Sequence, residues 1–259
     1  MYGICNLSIV PCRAEPANRS EMVSQLLFGD TFTLLEEKEE WVRIRQSFDG
    51  YESWINTKQY SPIREKTFLE ITKAPQLLSN ELIAILHDKQ NRNAFPIVMG
   101  SVLPFLKDKN IQLENHQFEY EGAAVNSQQK GTIDNIINTA YLFLNAPYLW
   151  GGRSALGIDC SGFTQLVYKV NGIALPRDAS QQAGTGTALS FVEEAEPGDL
   201  AFFDNEEGKI VHVGIVLSDQ QIIHASGKVR IDKFDHYGVF HNERKKYSHM
   251  LRVIKRLVD

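Results

Sequence analysis

The tetrapeptide Asp159-Cys160-Ser161-Gly162 constrains this chain more than any other feature. It follows the Gly/Pro-rich stretch Ala146-Pro147-Tyr148-Leu149-Trp150-Gly151-Gly152-Arg153 and precedes an apolar run at helical spacing, Phe163, Leu166, Val167 and Val170. A loop that hands a cysteine to the first turn of a helix is a way to make a thiolate. The helix N-terminus carries about half a positive charge, and its free N–H groups lower a thiol pKa by about a unit or more. A cysteine that only filled a core would need no polar frame of Asp159 and Ser161 around it. Cys160 is therefore the candidate nucleophile.

Two histidines lie downstream in strand-like surroundings. In Ile210-Val211-His212-Val213-Gly214-Ile215-Val216, a period of two places Val211, Val213, Ile215 and Leu217 on one face and His212 on the other, beside Gly214. In Ile222-Ile223-His224-Ala225-Ser226-Gly227, His224 would lie one strand over. An imidazole within an apolar strand is costly unless it has a partner. His212 is the candidate general base and acid for Cys160, and His224 the group that fixes its tautomer. Tyr148 either completes an oxyanion hole with the Cys160 N–H or packs on Trp150. A Cys-His-His zinc site is the rival use of the same atoms. The close ligand pairs typical of such sites are absent, so neither a metal nor a cofactor is expected.

With 259 residues, 43% of them hydrophobic and 23% charged, the chain has material for two or three cored domains. A formal net charge of -5 excludes a dense basic surface for nucleic acid, and Arg244-Lys245-Lys246 reads as a solvated loop. Three cysteines cannot form a disulfide framework; Cys5 and Cys12 either pair or fill a core, and filling fits the burial habit of free cysteine. No stretch has the ~20 apolar residues of a membrane span. Met1 to Ser8 lacks a basic segment and a long apolar core. As written the chain reads as cytoplasmic, or as periplasmic or exported if a leader has been removed.

Short β-like runs fill the first 60 residues: Leu7 to Val10, Thr31 to Leu35, Trp41 to Arg45 and Trp54-Ile55, with turns at Glu15-Pro16, Phe28-Gly29-Asp30 and Phe48-Asp49-Gly50-Tyr51. They suggest a small barrel. A second set follows: Lys66 to Thr72, Ala94 to Met99, Ser101 to Leu106 and Phe118 to Tyr120 as strands, with a short helix from Ser79 to His87. From Asn126 the pattern changes. Ile133, Ile136, Ile137, Ala140, Tyr141 and Leu144 predict a helix from about 128 to Asn145. The Cys160 helix follows, then strands at Leu200 to Phe203, Ile210 to Leu217, Gln221 to Ala225 and Leu251 to Val258. Helices first and antiparallel strands after make an α+β domain.

At these residues the chain resembles the NlpC-type family of bacterial cell-wall cysteine endopeptidases, which are papain-like in architecture. The resemblance covers about residues 128 to 259. It rests on Tyr148-Leu149-Trp150-Gly151-Gly152, Asp159-Cys160-Ser161-Gly162-Phe163, Leu175-Pro176-Arg177-Asp178-Ala179-Ser180-Gln181-Gln182, Glu196-Pro197-Gly198-Asp199-Leu200, His212-Val213-Gly214-Ile215 and Ile223-His224-Ala225. The family's nucleophile, base, orienting residue and oxyanion tyrosine would fall on Cys160, His212, His224 and Tyr148. The N-terminal region is similar to bacterial Src-homology-3-like barrels through Arg13-Ala14-Glu15-Pro16, Leu27-Phe28-Gly29-Asp30, Glu40-Trp41-Val42 and Gly50-Tyr51-Glu52-Ser53-Trp54-Ile55. The implied organisation is a first barrel over 1–61, a second over 62–125 and a papain-like domain over 126–259. The second barrel lacks a clear Gly-x-x-Gly-Trp ending and is inferred from length and position.

Two barrels ahead of such a domain resemble the γ-D-glutamyl-L-diamino acid endopeptidases of murein recycling. That subgroup cleaves murein stem peptides between D-glutamate and a diamino acid. Its first barrel helps to recognise a free N-terminal L-alanine. By motif position these contacts fall on Glu15, with Glu21 as substitute, and on Tyr51, Asp159 and Ser161, while Asp178, Ala179 and Ser180 would meet the D-glutamyl part. Arg177 either joins that contact or merely pairs with a carboxylate at the surface. The resemblance implies a monomer acting on a free murein-derived peptide, with no nucleic acid or membrane as partner. The competing readings are a lytic endopeptidase of intact peptidoglycan, an acyltransferase, and a wall-binding protein with an inert Cys160. The intact Cys-His-His set weighs against the last.

Overall fold

The computed structural model describes residues 1–241 and 245–258. The N-terminal unit is an antiparallel sheet with strands in the order Met22–Leu27, Ile9–Arg13, Glu52–Asn56, Trp41–Gln46, Thr31–Lys38, Tyr2–Ile4 and Ser61–Ile63. Alternation sets its faces. Val42 and Ile44 point into a core with Val10, Leu26, Phe32 and Ile55, while Arg43 and Arg45 point out and pair with Glu52, each at 2.7 Å. Cys5 and Cys12 are free thiols buried in that core. The strand Met22–Leu27 was not foreseen, because Ser24 and Gln25 make it look polar. Both are buried where they meet arginines of the C-terminal unit.

The middle unit departs furthest from expectation. Lys66 to Thr72 is not a strand but lies in helix α1 (Glu65–Lys73), which buries Thr67 and Ile71 four residues apart. Ser79 to His87 is not a helix. It contributes to the strands Leu77–Ser79 and Ile83–Asp88, the second burying Ala84, Leu86 and Asp88 and exposing Ile83, Ile85 and His87. Cross-strand pairing overrides the helix propensity of Ala84 and Leu86. Ser101 to Leu106 is a turn rather than a strand; the Val102 N–H donates to the Phe28 carbonyl and the Leu103 N–H to Leu77. The strands run in the order Asn93–Val98, Ile83–Asp88, His116–Tyr120 and Asn110–Leu113, with a separate ribbon of Leu77–Ser79 and Ala124–Asn126. Ile4 and Phe28 of the first unit complete its core.

In the C-terminal unit, helix α2 (Ile133–Leu142) starts later than its apolar spacing suggested. The Thr132 and Asn135 side chains each accept the other's backbone N–H and cap it. Helix α3 (Cys160–Val170) is buried on every side rather than along one stripe. One side packs on the sheet behind it. Elsewhere Gln165 donates to Asp49 and Lys169 to Asp30, both in the first unit. The sheet runs Thr187–Ala188, Lys246–Arg256, Leu200–Asp204, Ile210–Leu217, Gln221–Ser226, Lys228–Asp235 and Gly238–His241, and the last strand pairs back to Lys246–Arg256, closing a barrel. The strands from Lys228 and Gly238 had no apolar signature; Lys228, Arg230 and Asp232 occupy alternate positions of the first. Lys245 and Lys246 are exposed, and Arg244 lies outside the described residues. Among the described residues, no helix is long and apolar enough to cross a membrane.

Two buried arginines dock the first unit on the third. The Arg153 N–H donates to Gln25 Oε1 at 2.7 Å, and its Nη1 donates to the Gln25 carbonyl at 2.6 Å. Arg177 donates from Nε to Ser24 Oγ at 3.2 Å.

Candidate active site

Cys160 stands at the start of α3 and lines a cleft of about 530 Å³. The walls combine Glu21, Val23 and Tyr51 of the first unit with Trp150, Asp159, Ser161, Arg177 to Ser180, Ile210 and Val211 of the third. The residue is only 6% exposed. Burial, and then the Asp159 charge, push its thiol up to about 12, against the pull of the Val213 and Ser161 N–H groups on sulfur. This corrects the expectation of a thiolate made by the helix end. Asp159 is the N-cap of α3, so its carboxylate takes the Gly162 N–H at 2.7 Å and adds a negative charge beside the sulfur.

Asp159 is also fully engaged. It accepts from Arg177 Nη1 at 3.1 Å and Nη2 at 2.6 Å, and from the Gly151 N–H at 2.8 Å. Arg177 Nη1 donates to Ser161 Oγ at 2.9 Å as well. Arg177 is thus a buried partner of both flanking residues, not a surface cation. Asp159 and Ser161 face the cleft with their polar atoms already bound.

The histidines form a relay. His224 Nε2 lies 3.0 Å from Asp232 Oδ2, and His212 Nε2 lies 2.7 Å from His224 Nδ1. Asp232 can only accept, so His224 carries its proton on Nε2 and accepts at Nδ1. His212 must then donate from Nε2, which leaves its Nδ1 lone pair free as a base. Burial opposes ionisation of Asp232. The bonds from His224 and Arg230 outweigh it and hold the carboxyl below its usual range, with Arg230 Nη2 donating at 2.8 Å. Burial, then His224 and His249, hold His212 well below the ordinary histidine value. Both shifts favour the neutral thiol and the neutral imidazole over the separated charges. Gly214 is opposite His224 in register, and a Cβ there would stand 2.8 Å from the His224 Cβ.

Tyr148 is half-buried, and burial, with Cys160 and Asp159 next, raises its phenol. Its backbone N–H is tied to the Gly227 carbonyl, so the phenol is carried beside the cysteine. The Tyr51 hydroxyl lies against the Asp178 carboxylate, and burial raises the pKa of both groups, Tyr51 to about 12. Ala179 and Ser180 open the short helix Ala179–Gln182 on the cleft wall. Glu15 is the misplaced residue. It is exposed in a turn held by Ser20 and does not line the cleft. Glu21 does, and accepts from Trp150 Nε1 at 2.6 Å. Asp232 and His249 were missed, since single polar residues in charged strands carry no signal of their own.

His212, His224 and His249 offer nitrogens within 4.8 Å of one another. The His212 and His249 rings are stacked at 22°, so their in-plane lone pairs run nearly parallel instead of converging on one ion. This arrangement suits a hydrogen-bonded relay better than a metal.

A buried thiol beside an imidazole that a second histidine and a carboxylate orient is equipment for nucleophilic acyl transfer. The family model described as "NlpC/P60 family" matches residues 145–247, and "Bacterial dipeptidyl-peptidase Sh3 domain" matches residues 12–59. Two relatives are named gamma-D-glutamyl-L-lysine dipeptidyl-peptidase. The Bacillus subtilis protein is 35% identical over 78% of this chain and 71% of its own, and the Bacillus cereus protein 31% over 80% and 68%. The chain belongs to the NlpC/P60 family. It is a cysteine peptidase with a bacterial Src-homology-3-like domain. A crystal structure of an NlpC/P60 family protein from Bacillus cereus superposes with a TM-score of 0.83 over 99% of both chains, at 23% identity, and shows the same fold.

Proposed function

We propose that the chain hydrolyses the γ-D-glutamyl–diamino acid bond of murein stem peptides that carry a free N-terminal L-alanine. It acts as a monomer and releases L-Ala-γ-D-Glu during murein recycling. The observation that carries this reading is the lining of the cleft, which brings Glu21 and Tyr51 of the barrel together with Asp178 and Cys160 in one pocket. With Asp159 neutralised by Arg177, Asp178 and Glu21 are the carboxylates left for an ammonium group. The names of the Bacillus relatives support the same bond. We read residues 62–125 as a second Src-homology-3-like barrel between 1–61 and 126–259, on the strength of its four-stranded antiparallel sheet.

In this mechanism the Cys160 proton passes to His212 Nδ1 as sulfur attacks the γ-glutamyl carbonyl. The negative charge then lies on the carbonyl oxygen, so the oxyanion and the His212 imidazolium are the two charges the site must hold. Tyr148 and the Cys160 N–H hold the oxyanion. His212 then protonates the departing amine, and water, deprotonated by the same ring, hydrolyses the thioester. The test uses L-Ala-γ-D-Glu-L-Lys and its N-acetyl form. The free peptide should yield the dipeptide, the capped one should react at least about tenfold more slowly, and Cys160→Ala should yield none. Equal rates on the two peptides would refute the amine clamp; product from Cys160→Ala would refute the nucleophile.

A further inference from the structure

We infer that His249 is a positioning residue for the reaction, holding the plane of the His212 ring; this rests on the thiol–imidazole reading above. The two rings stack with centroids 4.0 Å apart at 22°. The need is geometric. A single hydrogen bond to His224 fixes the direction of His212 Nε2 but leaves the ring free to pivot about that line. A parallel ring on its face stops the pivot and holds Nδ1 in the one orientation that the proposed proton transfer from Cys160 needs.

The strand Lys246–Arg256 is shaped to deliver this contact. Its pairing skips Ser248, since Val239 pairs with His249 and Phe240 with Tyr247. A second irregularity lies between Phe202 and Phe203, which pair with Val253 and Leu251. Such bulges re-aim a side chain. The extra residue, Ser248, holds the ring it displaces, its Oγ lying 2.8 Å from His249 Nδ1. Opposite, Gly238 has φ of +137°, and a side chain there would run into the His249 carbonyl. The bulge at Ser248 and the close approach of Gly238 shape the backbone at His249, and Ser248 bonds its ring, which the proposed Cys160–His212–His224–Asp232 relay does not use.

The test compares His249→Ala and His249→Phe in steady-state turnover of L-Ala-γ-D-Glu-L-Lys and in alkylation of Cys160 by iodoacetamide. His249→Ala should lower kcat about tenfold or more with KM within about twofold, and slow alkylation in parallel. His249→Phe, which keeps the stack without the nitrogens, should return both to within about threefold of the parent. A kcat for His249→Ala within twofold of the parent, or a His249→Phe as slow as the alanine variant, overturns the proposal. If His249→Ala does not fold, Ser248→Ala keeps the ring and removes its hydrogen bond; kcat should fall about threefold at unchanged KM, and an unchanged kcat overturns the proposal. Turnover by the unaltered protein, and its rate on capped peptide, test the substrate reading separately, and alkylation reads His212 whatever the substrate is.

Discussion

Replacing Asp232 with asparagine keeps the volume and removes the charge at the end of the relay. The hydrogen bonds of 2.7 and 3.0 Å on either side of the His224 ring put the carboxylate about 8 Å from His212 Nε2. At an effective dielectric near 20, a unit negative charge at that distance stabilises the His212 imidazolium by about 2 kcal/mol, or about thirtyfold in rate. Asp232→Asn should therefore lower kcat by about that factor while KM, set at the cleft walls, stays put. The acid limb of the pH–rate profile should move lower, because His212 loses the charge that favours its protonation. Arg230 keeps its contact with His241 Nε2 at 3.1 Å and is 18% exposed at its side chain, so the fold should survive. Steady-state kinetics beside a thermal melt decides it. A folded variant within about twofold of the parent kcat would show that Asp232 does not act on the imidazolium.

Two further outcomes follow from buried charge. Arg177→Met leaves Asp159 buried without its cation and should cost about 3–5 kcal/mol, a fall in Tm on the order of 10 °C, with the double variant Asp159→Asn/Arg177→Met recovering part of it in urea titrations. Unchanged stability in the single variant would mean that water replaces the guanidinium. His212, His224 and His249 are all held below the ordinary histidine value, His249 at about 4, with burial the first cause in each. The unfolded chain takes up protons near pH 6.5 that the folded one refuses. Stability should then be full above pH 6.5 and fall toward pH 4 by up to about 1.4 kcal/mol per pH unit for each proton, with a shallower slope in His249→Phe. Urea midpoints that stay level from pH 7 to 5 would contradict this.

What the chain betrays of itself depends on whether a signal is local. The helix start at Cys160 was legible because a Gly/Pro loop, the polar frame of Asp159 and Ser161 and an apolar period coincide within a few residues. The strands of His212 and His224 were legible as apolar runs. Asp232 was not, because its role is created by register, His224 standing on the neighbouring strand. His249 was hidden by the bulges that aim it. Glu21 and Glu15 could be told apart only once Trp150 was in place beside one of them. In the middle unit, residues 79 to 87 carry helix formers, yet pairing with Asn93–Val98 and His116–Tyr120 decides the outcome.

The eleven residues of α3 have no free side. Besides Cys160 the helix carries Lys169, whose ammonium bonds to Asp30 of the first unit at 3.4 Å and to the Gly100 carbonyl of the second at 2.9 Å, and next to it Arg153 shares Asp30. Cut away from its neighbours, the C-terminal unit would bare the two cations Lys169 and Arg153 and a side of its central helix at once. The peptidase part of this molecule is therefore no portable module: truncation to it should give an insoluble chain, and any graft onto another scaffold must bring Asp30 along.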